Sequence, residues 1–107
     1  MYGGLGPTHL GSGDDRSRSL QIHGDSTRLC EEAKLAMHQG AAGKAQALAD
    51  KAIVKADASP MMGAPKVALR VAARECAADI CEQYGAYNEA AEYIAQATVI
   101  QLSLIHI

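Results

Sequence analysis

The sequence contains no tryptophan and no phenylalanine, and its only aromatic residues are four tyrosines. Alanine supplies 21 of the 107 residues, so much of the 49% hydrophobic content consists of short side chains. A core made mainly of alanine buries little area per side chain and depends on close backbone approach over a long contact. Alanine is also the best helix former, and a chain of this length forms at most one domain. The composition therefore predicts a small all-α fold.

A strong charge of either sign is also missing. Ten Lys and Arg residues stand against twelve Asp and Glu residues, which gives a formal net charge of −2. This balance argues against a nucleic acid or a membrane surface as the main partner. No apolar run reaches the roughly 18–20 residues that span a bilayer, and the chain does not open with the pattern of a secretory signal. We therefore expect a cytoplasmic protein without a nucleic-acid or membrane partner.

The sequence offers few candidates for catalysis or metal binding. Its three cysteines have no framework spacing and indicate reduced thiols. Cys76 and Cys81 would point about 140° apart on a helix, so we expect two small buried apolar residues rather than a metal clip. Cys30 and His38 are two helical turns apart, beyond direct reach, and no phosphate-binding glycine loop is present. We predict no catalytic residue, no metal and no cofactor, and hence no enzyme.

The two ends of the chain differ from the rest. Residues 1–24 hold six glycines and show no hydrophobic period, which predicts a flexible leader. The last six residues, LSLIHI over 102–107, break the preceding helical pattern. They resemble the translation of a transposon adapter used in sequencing libraries, so we interpret them as a non-native tail. The alternative is a short native apolar tail that completes the last helix. The predicted domain is therefore 25–101.

Glycines and prolines separate four stretches of helical spacing in this domain. The first has Asp25 or Ser26 as its predicted N-cap, and Gly40 ends it. Its apolar positions are Leu29, Ala33, Ala36 and Met37. The second stretch places on one face Ala45, Leu48, Ala49, Ala52 and Ile53.

The third stretch starts near Pro65, a residue suited to the first position of a helix, and Gly85 ends it. Its predicted core stripe comprises Leu69, Ala73, Cys76, Ile80 and Tyr84. The fourth stretch is predicted to turn inward Ala90, Ile94 and Ala97. The order predicts two helical hairpins, over about 26–57 and 64–101.

The two hairpins are similar to each other. When Gly40 is aligned with Gly85, the aligned small residues are Ala33 with Ala78, Ala45 with Ala90, and Ala52 with Ala97. Such self-similarity is typical of a helical solenoid. With Tyr87 after the second turn and Ile94 in the last helix, the pattern resembles the tetratricopeptide repeat. The resemblance implies two stacked antiparallel hairpins in which the aromatic Tyr87 fills the space at the turn.

The first hairpin matches the family pattern less well, because alanine stands where the aromatic and the large residue are usual. The two turns also lie 45 residues apart, whereas about 34 is the ordinary period. A four-helix bundle with short loops therefore stays open as an alternative fold.

In tetratricopeptide arrays, partner peptides lie in a groove lined by the first helix of each hairpin. The resemblance places Glu75, Asp79 and Glu82 at groove positions of the second hairpin, and Lys34 and His38 at those of the first. The acidic second hairpin would favour a partner segment containing Lys or Arg. The alternative is a solvated face with no ligand.

A neighbouring basic line runs along the third stretch and comprises Lys66, Arg70 and Arg74. These residues either contact an acidic residue of a neighbouring helix or are solvated.

These patterns predict a non-catalytic scaffold module for protein–protein interaction, part of a longer helical-repeat protein. One alternative is an accessory or sensor arm of a larger enzyme or transcription regulator. A weaker alternative is a self-contained homodimeric helical bundle, so homo-oligomerisation stays open. Neither the identity of the partner nor the number of repeats follows from the residues.

Overall fold

The computed structural model describes residues 14–105 and gives the side-chain environment of residues 24–104. Within this part of the chain all regular structure is helical. The elements are α1 (Asp14–His38), α2 (Ala42–Asp57), α3 (Ala64–Gln83) and α4 (Tyr87–Ile105). This order confirms the all-α class and the predicted succession of four helices.

The first helix begins well before its predicted start. Asp25 and Ser26, the predicted N-caps, lie inside α1 rather than at its end. Gly24 also lies inside the helix. An interior glycine costs only about 1 kcal/mol relative to alanine and still supplies its backbone N–H, so it does not end a helix by itself. Residues 14–24, which we predicted as part of a flexible leader, are therefore helical. Residues 1–13 lie outside the described part of the chain.

The last helix likewise runs past the predicted boundary. α4 continues to Ile105, so most of the segment interpreted as a non-native tail extends the helix. His106 and Ile107 lie outside the described residues. A helical continuation does not distinguish a native segment from an added one, and that interpretation stays a prediction.

The turns that close the two hairpins have the same geometry. Gly40 and Gly85 adopt φ of 79° and 80°, in the left-handed region that L side chains rarely adopt. After each glycine an alanine N–H donates back five residues, from Ala41 to the Ala36 carbonyl at 2.9 Å and from Ala86 to the Cys81 carbonyl at 2.8 Å. These bonds satisfy carbonyls left free at the helix ends. The equivalence predicted from the glycine spacing is confirmed at the turns.

The connection between the hairpins is compact. The Ser59 side chain is buried, and its hydroxyl accepts a hydrogen bond from the Met61 N–H at 3.2 Å. Gly63 has a positive φ of 72° just before α3. Pro65 occupies the second helical position rather than the first, which still suits a residue without an N–H.

Alanines form the contacts between the helices. α1 packs on α2 and α3 on α4, and α3 also packs on α2 and α1. Within the described residues, α4 packs extensively on α3 alone. All six aligned alanines are buried, which permits the close backbone approach that their size suggests: Ala33, Ala45, Ala52, Ala78, Ala90 and Ala97. The Cα atoms extend over 49 × 40 × 13 Å, so the helices form a flat layer.

The predicted core stripe of α3 is confirmed except at its end. Its buried members are Leu69, Ala73, Cys76 and Ile80. Tyr84 is 41% exposed because α3 ends before it, so its ring lies at the edge of the fold. Its hydroxyl donates a hydrogen bond to the Met37 carbonyl at 3.2 Å, close to the C-terminal end of α1. Tyr84 therefore joins the two hairpins through a helix end rather than through the core.

The inward face of α4 differs from the prediction at one position. Ala90 and Ala97 are buried, but Ile94 is 47% exposed. The neighbouring residue Tyr93 packs against the core instead, and its hydroxyl donates to Asp50 of α2 at 3.2 Å. Since one residue corresponds to about 100° around a helix, Ile94 falls on the side of α4 that faces away from α3.

Tyr87 does not fill the turn as the resemblance implies. It is 68% exposed at the first position of α4. The partly buried aromatic residue of this helix is Tyr93, which packs against Ala78, Cys81 and Ala90.

A buried arginine joins three of the helices. Arg74 of α3 donates to both carboxylate oxygens of Asp57, at 3.0 and 2.9 Å, at the end of α2. Its Nε also donates to Gln96 of α4 at 3.0 Å, and Arg70 donates to the same Asp57 at 2.9 Å. The guanidinium of Arg74 lowers the pKa of the Asp57 carboxyl, and the hydrogen bond from Arg70 adds to the effect. Of the predicted basic line, Arg70 and Arg74 thus contact an acidic residue of a neighbouring helix.

Candidate partner-binding surface

α3 has one stripe that no other helix covers. Because α1 and α2 lie on one side of it and α4 on the other, the exposed positions recur at helical spacing. They are Ala68, Ala72, Glu75, Asp79 and Glu82. The last three are the acidic groove residues predicted for the second hairpin, and they share this face. No ion pair involving them occurs among residues 24–104.

A cavity of about 230 Å³ lies between α1 and α3, beside this stripe. Residues of both helices line it, among them Thr27, Cys30 and Lys34 from α1 and Leu69, Ala72 and Cys76 from α3. The first helices of the two hairpins therefore form the walls of one depression. Because Ala72 has a short side chain, the α3 wall of this depression does not cover the cavity.

The five predicted groove residues do not lie together at one site in the structure. Lys34 lines the cavity itself, and Asp79 lies one helical turn beyond Cys76 on α3. Glu75 lies beside a second depression, between α3 and α4. Glu82 and His38 are exposed near the ends of their helices, outside both sets of lining residues. The predicted set thus spreads along the α1–α3 face, and Lys34 is the member that lines the cavity.

Two thiols meet at the cavity. Cys76 is buried on α3, and its thiol donates a hydrogen bond to the backbone carbonyl of Cys30 on α1 at 3.6 Å. The pKa of the partly buried Cys30 thiol is lowered, first by a hydrogen bond with the Cys76 side chain, and also by the positive charge of Lys34. The pKa of the Cys76 thiol is raised, first by the same hydrogen bond and then by burial. The sequence suggested no such pairing, because the two cysteines belong to different hairpins.

Cys81 is separate from this pair. It is buried towards α2, where its thiol lies 3.6 Å from the side-chain oxygen of Gln46. Burial raises the pKa of its thiol, and the charges of Glu89 and Asp50 add to the effect. Cys76 and Cys81 therefore face different helices, which confirms the predicted divergence of their side chains and their burial.

The described part of the chain contains no group of three or more His, Cys, Asp or Glu side chains placed to hold a metal ion. No helix within residues 14–105 has the length and apolarity needed to cross a membrane.

No family model matches this chain, and no curated protein or solved structure is significantly similar to it.

Proposed function

We propose that the chain is a non-catalytic helical-repeat module that binds a protein segment on its α1–α3 face. The tetratricopeptide-like stacking on which this proposal depends is supported by which helices touch. In a closed four-helix bundle the last helix would also pack along the first or second, but α4 packs extensively on α3 alone among the described residues. The Cα radius of gyration is 16.2 Å, whereas a compact domain of this length has about 13 Å.

The outward side of α4 supports the same interpretation. On α2, the side that packs towards α3 includes Gln46, Ala49 and Ile53. The residues 45 positions later are Ala91, Ile94 and Thr98, and all three are exposed on α4. The side of α4 that corresponds to the stacking side of α2 is therefore uncovered and largely apolar. A further hairpin stacked there would continue the array, as a repeat protein requires.

The observation that carries the binding proposal is the acidic stripe of α3. Glu75, Asp79 and Glu82 are exposed on one side of α3. Ala72, on the same exposed stripe, lines the cavity whose opposite wall is α1. Carboxylates that have no cationic partner among residues 24–104 attract a segment with Lys or Arg at matching spacing. The partner predicted by this chemistry is a basic stretch of another protein.

A labelled peptide of alternating Lys and Ala residues tests this proposal by fluorescence anisotropy. Replacing the three carboxylates together (Glu75→Gln, Asp79→Asn, Glu82→Gln) should weaken binding roughly tenfold, because three exposed charge contacts contribute about 0.5 kcal/mol each. Binding should also weaken steeply with added salt.

A matched control changes three exposed carboxylates on other faces of the chain: Glu32→Gln, Glu89→Gln and Glu92→Gln. The control should bind the peptide as the wild type does. Equal weakening in both variants would indicate attraction by net charge alone, and no weakening in either would end the proposed role of the acidic stripe.

Self-association through α4 is a second candidate, because Tyr87, Ile94 and Val99 are large apolar residues exposed on this helix. Sedimentation equilibrium tests it. If the side of α4 bearing Ile94 mediates a dimer, Ile94→Lys should give a monomer. Val54→Lys, at a more exposed apolar position of α2, should leave the dimer intact. A wild-type chain that is monomeric at high concentration would exclude this candidate.

A further inference from the structure

The two thiols at the cavity belong to the first helices of different hairpins. Cys30 is partly buried on α1, Cys76 is buried on α3, and both line the same cavity of about 230 Å³. The Cys76 sulfur lies 3.6 Å from the Cys30 carbonyl oxygen. The Cys76 side chain therefore reaches the backbone of Cys30 across the boundary between the hairpins.

Small residues on both helices hold the backbones close at this point. Ala33 of α1 and Ala77 of α3 are completely buried in the same cluster as Cys76, and Cys30 packs against that cluster. A disulfide requires Cα atoms about 4.4–6.8 Å apart, a distance that two helices reach only where short side chains separate them. Alanines surround Cys30 and Cys76 at this contact, and the Cys76 sulfur reaches the backbone of Cys30.

The two thiols are not equivalent. Cys30 is reachable from the cavity, and its pKa is lowered by the hydrogen bond with Cys76 and by the charge of Lys34 one turn away. Cys76 is more buried and keeps its proton, since its own pKa is raised. An accessible thiol with increased thiolate character, next to a second thiol, is the arrangement found in oxidation-sensitive cysteine pairs.

We propose that Cys30 and Cys76 form an oxidative modification site whose substrate is a hydroperoxide and whose product is a disulfide between α1 and α3. The Cys30 thiolate attacks the terminal peroxide oxygen, the O–O bond breaks, and the departing oxygen takes a proton to leave as water or an alcohol. The sulfenic acid formed on Cys30 then reacts with the Cys76 thiol. The S–S bond forms, the sulfenic hydroxyl leaves with the thiol proton as water, and the peroxide has accepted two electrons.

The product would fix the walls of the cavity relative to each other. The new bond joins the first helix of one hairpin to the first helix of the next and encloses α2 in a covalent loop. This chemistry requires only the two thiols and the oxidant, so it does not depend on which partner binds the α1–α3 face.

The test treats the reduced full-length chain with one equivalent of hydrogen peroxide and measures its intact mass. Formation of the disulfide lowers the mass by about 2 Da, the loss of two hydrogens. Peptide mapping without reductant should then find Cys30 joined to Cys76 and Cys81 still alkylatable. The oxidised chain should also unfold at a higher urea concentration than the reduced chain, because the new loop constrains the unfolded state.

Three alanine variants provide the controls, and alanine keeps a small apolar side chain at each site. Cys81→Ala should form the disulfide at the wild-type rate, whereas Cys30→Ala and Cys76→Ala should form no intramolecular disulfide. A sulfenic acid that persists on Cys30 of the wild-type chain after the one equivalent of peroxide is consumed, without pairing, would overturn the proposal. So would a disulfide that includes Cys81. Both of these outcomes are read from the wild-type chain and do not depend on the folding of a variant.

Discussion

Replacing Asp57 by alanine is the perturbation whose cost the structure defines best. The change removes the two carboxylate oxygens that accept hydrogen bonds from the Arg74 guanidinium. One of these oxygens also accepts a hydrogen bond from Arg70. The Arg74 side chain is only 9% exposed. Its Nη2 therefore loses, in a poorly solvated place, the one acceptor that it has among residues 24–104. The backbone carbonyl of Arg70 and the side chain of Gln96 remain as the other acceptors of the guanidinium.

The expected loss follows from comparing two limits. An exposed ion pair contributes about 0–1 kcal/mol, whereas removing one partner of a buried pair costs about 3–5 kcal/mol. Asp57 itself is 38% exposed, so water screens its side of the interaction. We therefore expect Asp57→Ala to lower the free energy of unfolding by about 2 kcal/mol.

Urea denaturation followed by circular dichroism at the helix band measures this loss. Glu32→Ala is the control, because Glu32 makes only a 3.8 Å contact with the largely exposed Arg28 on the surface of α1. The control should change the free energy of unfolding by less than about 0.5 kcal/mol. An Asp57→Ala variant as stable as this control would refute the conclusion that the hydrogen bonds from Arg74 to Asp57 hold the two hairpins together.

The same interaction predicts a pH dependence. Arg74 and Arg70 lower the pKa of Asp57 in the folded chain below its ordinary value near 3.8. The contribution of the carboxylate is therefore complete above that value and is lost as the pH falls through the lower folded-state pKa. The stability difference between wild type and Asp57→Asn should close in this acidic window and stay constant from pH 5 to 7. A difference that instead narrows near neutral pH would contradict this assignment.

Two further changes test the turns and the contact between the hairpins. Gly85→Ala should lower the free energy of unfolding by about 1–2 kcal/mol, because φ is 80° at this position. Gly43→Ala should raise it by about 0.5 kcal/mol, because Gly43 lies in a helix and no atom lies within 4 Å of the added methyl group. Urea midpoints measure both, and a neutral Gly85→Ala would contradict the turn geometry. Tyr84→Phe should cost about 0.5 kcal/mol through the lost bond to the Met37 carbonyl, while Tyr87→Phe should cost nothing measurable; equal losses would contradict that assignment.

The parts of the fold that were predicted correctly depend on short stretches of sequence. Gly40 and Gly85 end helices because glycine readily adopts the left-handed conformation that both turns require. The predicted start of α1 was wrong. Gly24 and the polar residues before it give no hydrophobic period, yet they do not prevent a helix from continuing through them.

The candidate surface was predicted only in part. The exposed stripe of Glu75, Asp79 and Glu82 follows from their spacing on one helix. The cavity beside it and the meeting of Cys30 with Cys76 required the packing of α1 on α3. Contacts between residues in different hairpins depend on how two helices are rotated and shifted against each other, and a single sequence without homologues does not give that arrangement.

By itself, the sequence determined the helical class, the two glycine turns and the small residues that line the helix contacts, because these depend on local propensity and side-chain size. Only the tertiary structure decided that Tyr93 rather than Ile94 packs inward, and that Arg74 joins Asp57 to Gln96. An alanine-rich helix is apolar around much of its circumference, so its period alone selects no unique buried face. The packed neighbours select that face through the few large and charged side chains that must find space and partners.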